Sequence, residues 1–144
     1  MPEYASPYLT LATASADGTP WATPVWFAPD GDGLLWVSRP SRRHSLNVAA
    51  RPEVSFVVYD STVPSDDARA VYGEGVAGLV PDDDVARAIG VFSAHAVAQG
   101  LPSWTPAAVT GDATLRLYRV RLTTLWVLDA RENRDPLPVP VPVG

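Results

Sequence analysis

The sequence predicts a mainly β domain, a six-stranded antiparallel barrel carrying one short and one longer helix. Three observations predict it. Apolar residues alternate with small or polar ones over several short stretches, the period of a half-buried strand. Asp17-Gly18 and Asp30-Gly31-Asp32-Gly33 are hairpin-type turn signals between such stretches. Only two segments are patterned as helices, and they do not alternate with the strands as a doubly wound α/β fold requires.

Residues 8–14 (YLTLATA) read as the first strand and 21–28 (WATPVWFA) as the second. Pro24 cannot donate to a ladder, so the second strand is expected to be edge-like or distorted there. Residues 34–38 (LLWVS) form the third. Residues 41–50 (SRRHSLNVAA) break the alternation and predict a short helix, with Ser41 as N-cap and Arg51-Pro52 as its stop. A strand over 54–59 and a polar loop over 60–68 follow. The next strand, 70–80 (AVYGEGVAGLV), holds three glycines, which predict bulges or a close backbone approach.

Pro81 and the acids Asp82, Asp83 and Asp84 suit the first turn of the longer helix. It runs to about Ala98, buries Val85, Ile89, Phe92 and Ala96, and ends at Gly100. A loop over 100–112 carries Trp104 between two prolines. Residues 114–128 predict a long strand, bent or broken at Thr123-Thr124. The domain thus spans 1–130. Residues 131–144 form a proline-rich C-terminal arm, expected to be extended and polyproline-like.

Composition narrows the function. A chain of 144 residues with 47% hydrophobic and 19% charged residues can bury a single core, so disorder is excluded as its main state. No apolar run is long enough for a membrane helix, and the N-terminus lacks a secretory pattern, so a cytoplasmic protein without membrane partners is expected. The chain has no cysteine, which excludes disulfides, thiolate catalysis and sulfur-ligated metals. A net charge of −5 is a poor match for nucleic acid. All eleven cations are arginine, so no lysine Schiff base can form. Arg39, Arg42, Arg43 and Arg51 make a small basic spot that suits a compact anion.

That spot lies where a strand ending in Ser38 turns into the short helix. Free amides and the dipole of a helix start favour an anion, with Ser38 and Ser41 supplying hydroxyls and Arg42 and Arg43 fixed charge. The alternative is a solvated helix face paired with Glu53. Trp21, Trp26 and Trp36 on neighbouring strands either wall a ring or fill the core. His44 either touches the anion or is solvated, and His95 is expected to be structural. The two histidines make no metal site, and the Asp66-Asp67 and Asp82–Asp84 groups read as loop and capping residues. No residue stands out as catalytic.

The segments DGTPWATPVWF and LWVSRPSRRHSLNVAARPEVSFVV, in this order and spacing, resemble the flavin-binding split barrels of the pyridoxamine 5'-phosphate oxidase-like superfamily. The resemblance implies a split β-barrel (Greek key) that binds FMN, or alternatively the deazaflavin F420, at the interface of a homodimer. It implies that Ser38, Ser41, Arg42 and Arg43 hold the cofactor phosphate. It also implies that Thr23, Pro24, Val25 and Trp26, with Val37, edge the ring. The ending Trp126-Val127-Leu128-Asp129 followed by the arm departs from a true pyridoxamine phosphate oxidase, so vitamin B6 oxidation is not expected. The expectation is a flavin-dependent oxidoreductase acting on a small organic molecule. An F420-dependent reductase and a non-catalytic flavin- or ligand-binding module are the alternatives.

Overall fold

In the computed structural model, which describes residues 2–132 and 135–144, the strands form one antiparallel sheet. Its elements are β1 (Tyr8–Ala14), β2 (Pro20–Trp26), β3 (Ala28–Asp30), β4 (Gly33–Ser38), α1 (Arg43–Ala50), β5 (Glu53–Tyr59), β6 (Arg69–Leu79), α2 (Val85–Ala98), β7 (Arg116–Asp129) and β8 (Leu137–Val139). Among the described residues there are eight strands rather than six. The second predicted strand breaks at Phe27 into β2 and β3, and part of the proline-rich arm adds β8 on β7. Residues 133 and 134 of that arm lie outside the described residues.

The sheet order is β2-β1-β5-β6-β7-β4-β3, with β8 beside β7. Its two ends, β2 and β3, are separated in sequence by Phe27 alone. A sheet whose opposite ends are consecutive pieces of one chain must curl, and Phe27 is the point where they meet. The Phe27 side chain is 2% exposed and its N–H donates to the Pro7 carbonyl at 3.2 Å. Pro24 sits on β2 at the end of the strand order, where a missing ladder donor is tolerated.

Turn chemistry sets the hairpins. Gly18 adopts φ +88 between β1 and β2, and Gly31 φ +58 between β3 and β4, a region open to glycine at little cost. Asp17 accepts hydrogen bonds from Ser15 and Thr19 across the first turn, which lowers its pKa to about 2.

Two apolar layers result. Leu9, Leu11, Leu34, Trp36, Phe56, Val58, Val120 and Leu125 fill the curl of the sheet. On its other side α2 presses Ala88, Ile89 and Phe92 onto Leu35, Val80 and Leu117. This explains why β4 reads as a nearly unbroken apolar run: alternate residues serve different layers, both buried. Helix α2 buries the predicted face and ends at Gly100, φ +78, where the Leu101 N–H returns to the Ala96 carbonyl at 2.9 Å.

Two of the three glycines of β6, Gly73 and Gly75, mark the expected close approach and bulge, whereas Gly78 faces open space. A Cβ on Gly73 would collide with the Phe56 ring, and one on Gly75 with the Arg121 carbonyl oxygen. The register shifts between Glu74 and Gly75, whose partners are Thr124 and Leu122, so Thr123 is the bulged residue.

The aspartates before α2 do not sit in its first turn. The helix begins at Val85, and Asp84 instead binds Arg87 at 2.8 Å and Arg119 at 2.6 Å. Arg87 also reaches Asp30 at 2.8 Å, tying the helix start to β3 and β7. Hydrogen bonds from Arg87 and then Arg119 hold the Asp84 carboxyl well below the usual carboxylate range.

Candidate functional site

The turn between β4 and α1 is a tight one. The Arg42 N–H donates to the Arg39 carbonyl at 3.1 Å, with Pro40 and Ser41 at its centre. Ser41 is therefore part of the turn and not the helix cap. Arg42 takes the N-cap position with extended backbone, and no side chain caps the helix. The first amides of α1 are left open to an external acceptor.

His44, expected either to touch an anion or to be solvated, is 8% exposed. Its side chain turns back so that Nε2 lies 2.7 Å from Ser38 Oγ. Burial, and then the Arg42 charge, push the imidazole pKa below its ordinary value, so the neutral ring is favoured.

A cavity of about 670 Å³ opens beside this pair, a volume in the usual range for ligand pockets. Pro24, Val25 and Trp26 of β2 and Val37 and Ser38 of β4 line it, as do His44, Phe92, Ala96, Trp104, Ala108 and Leu115. Five sequence-predicted site residues are thus brought together: Pro24, Val25, Trp26, Val37 and Ser38. Thr23, Ser41, Arg42 and Arg43 do not line the cavity. Thr23 is half-buried opposite Leu11, and Ser41 and Arg42 are exposed. The Arg43 guanidinium lies over the Trp21 ring, 4.1 Å from its centroid.

The three tryptophans separate. Trp36 is fully buried and stacks on Tyr118, so it belongs to the core. Trp21 lies outside beneath Arg43, and of these three only Trp26 lines the cavity. Trp26 meets Phe92 edge-on at 5.1 Å, and Phe92 meets Trp104 edge-on at 5.6 Å. The Trp104 N–H donates to Ser93 Oγ at 2.8 Å, which fixes the loop against α2. Sequence reasoning missed His44 as a buried partner of Ser38, and Phe92 and Leu115 as cavity walls. His95 tilts against Trp26 at 5.4 Å and meets Gln99, a packing role as expected.

Among the described residues no helix is long and apolar enough to cross a membrane. No curated protein matches the chain. Solved structures do. A heme-binding protein from Mycobacterium smegmatis superposes with TM-score 0.71 at 20% identity, covering 93% of this chain and 53% of that one. This chain therefore spans about half the length of that protein. An F420 reductase is 29% identical with TM-score 0.61, covering 87% of this chain and 98% of that one. A FAD-binding protein from Mesorhizobium loti gives TM-score 0.65 at 19% identity, covering 86% of each chain. The sequence itself matches the family described as Pyridoxamine 5'-phosphate oxidase over residues 4–129. With nearly the whole curled sheet, both helices and the Ser38–His44 turn inside that match, the chain belongs to the pyridoxamine 5'-phosphate oxidase family.

Proposed function

We propose that this chain is a flavin-dependent oxidoreductase that binds FMN in the cavity beside β2 and acts, as a homodimer, on a small organic substrate. One observation carries the reading. A single cavity joins polar groups suited to a phosphate, Ser38 and His44 beside the uncapped start of α1, to an apolar wall suited to a ring. The residues present fit such a cofactor. Ser38 offers a hydroxyl, the first turn of α1 offers free N–H groups, and Arg42 and Arg43 stand on the same turn with permanent charge. Pro24, Val25, Trp26 and Val37, with Thr23 beside them, would edge the ring.

A bound flavin supplies the hydride chemistry itself, so the chain needs no acid–base dyad. What the protein residues do is hold and shield. Ser38 and the start of α1 would hold the cofactor phosphate, while Phe92, Trp104 and Leu115 would screen the cavity from water. In its Nε2–H tautomer neutral His44 would donate to Ser38 Oγ and leave the Ser38 O–H free to donate to the phosphate.

A second reading substitutes F420 for FMN. The 29% identity to an F420 reductase over 87% of this chain favours it, and Arg39, Arg42 and Arg43 would suit its anionic tail. A homodimer is supported by exposed Tyr8, Tyr59, Val76 and Leu79 and by a second concavity of about 620 Å³ on the sheet, lined in part by Val57, Tyr72 and Trp126.

Absorbance of the purified full chain tests the reading. Flavin gives two bands, the deazaflavin one, and heme an intense Soret band. The FMN proposal expects the two-band spectrum, bleached by a reduced nicotinamide and restored by substrate. A Soret band, or no uptake of FMN or F420, overturns it.

A further inference from the structure

The family match ends at residue 129, and the proline-rich arm lies beyond it. The arm does not hang free. β4 leaves β7 at the Gly33–Arg121 pair, and the arm takes the vacated place further along. There Leu137 stands opposite Val127, Pro138 opposite Trp126 and Val139 opposite Leu125. Val139 and Val141 pack against the buried cluster inside the curl. Gly144 lies against the β3–β4 turn, its Cα 3.3 Å from where a Cβ on Gly31 would stand. The arm thus crosses the corner of the sheet that β4 leaves open. Without it, fully buried Leu125 would be uncovered and the ladder groups of β7 beside it would be unpaired.

The ladder also determines which edge of the arm faces β7. The Ala77 N–H donates to the Pro52 carbonyl on the β5 side, so the even-numbered residues of β6 turn to β7. Beyond the bulge their partners are Thr124 and Trp126, which leaves Leu125 and Val127 turned to the arm. Leu137 and Val139 meet these two with their own N–H and C=O groups. Pro138 turns the other way, and Pro136, Pro140 and Pro142 repeat its parity. Proline has no N–H, so the outward edge of the arm carries carbonyls and no donors. Such an edge cannot supply the alternating donors and acceptors that a further strand needs.

We propose that the arm is a one-sided closing strand. Its leucine and valine side completes the sheet beside β7, and its proline side stops the sheet from pairing with any further strand, another copy of this chain included.

Two measurements on the full-length chain test this. Amide exchange followed by NMR should find the Leu137 and Val139 N–H groups protected at least about a hundredfold over an unstructured peptide. Pro138→Val with Pro140→Val restores two outward donors without touching the buried side. It should leave Tm within about 3 °C of the native chain. Light scattering should nevertheless show its mass climbing with concentration to at least about double the native value. Should that double variant misfold, Pro138→Ala alone, with one donor restored, is read in the same way. Unprotected Leu137 and Val139 amides in the native chain overturn the closing role. A folded proline variant that keeps the native mass at every concentration overturns the edge role.

Discussion

Ser38 and His44 are locked together across the turn that joins β4 to α1, Oγ to Nε2 at 2.7 Å, with both side chains buried. Six residues of separation and a tight turn bring them together, and the pair then forms the polar end of the cavity. An imidazole in that position reports on protonation.

Burial and the Arg42 charge lower the His44 pKa, so the folded state resists protonation while the unfolded chain takes up a proton near pH 6.5. The stability this residue contributes is complete above that pH and is lost as pH falls towards the folded value. Thermal melts at pH 7.5 and 5.0 should therefore show a smaller acid-induced drop in Tm for His44→Gln than for the native chain. An equal or larger drop in the variant contradicts the assignment.

The phosphate reading makes Arg42 and Arg43 matter for binding more than for folding. Charge-assisted hydrogen bonds are worth about 1.5–3 kcal/mol each, so Arg42→Ala with Arg43→Ala should weaken FMN by about a hundredfold or more. Riboflavin, which lacks the phosphate, should bind both proteins with similar, weak affinity. Loss of the Arg43–Trp21 contact should cost only about 1 kcal/mol of stability, because the pair is exposed. Unchanged FMN affinity in the double variant would make both arginines plain surface charge.

At the start of α2 the order of effects can be ranked. Asp84→Ala strands the Arg119 guanidinium, 8% exposed, and should cost about 2–3 kcal/mol, a Tm fall of roughly 5–10 °C. Asp30→Ala leaves Arg87 still bound to Asp84 and should cost less than half as much. Differential scanning calorimetry of the two variants reads the ranking directly.

The glycines of β6 supply a steric contrast within one strand. Gly75→Ala drives a methyl into the Arg121 carbonyl oxygen and should destabilise by about 1–3 kcal/mol. At Gly78 a methyl meets nothing within 4 Å, so Gly78→Ala should stay within about 0.5 kcal/mol of the native chain in urea melts. If both variants melt alike, the bulge is not tightly packed.

These contrasts show where sequence reasoning reaches. Local chemistry is legible: Asp17-Gly18 and Asp30-Gly31 mark their turns, Gly100 ends α2, and Thr123-Thr124 marks the bulge of β7. So is the strand edge carrying Pro24. The break at Phe27 is not legible, because it comes from closing the sheet and not from any breaker residue. Ser41 looks like a cap until Pro40 and the Arg42–Arg39 hydrogen bond draw it into a turn. His44 reads as a helix-face side chain because periodicity cannot see Ser38 folding in from the preceding strand. Trp26 is legible as a ring wall, but its contact with Phe92, and that of Phe92 with Trp104, is not, since they meet only in three dimensions.

The single-residue joint at Phe27 also bears on the order in which the chain assembles. β1–β2 and β3–β4 are both hairpins of close neighbours, and Phe27 yokes them before any distant segment is needed. Two local closures at low entropic cost thus bring together the margins of the sheet. The middle strands β5, β6 and β7 must then fill the space between β1 and β4, through contacts much further apart along the chain. The seam is therefore expected to form before the panels are set into it, with the slow folding steps in the chain after residue 50; pulse-labelled hydrogen exchange showing late protection of β1–β4 would contradict this.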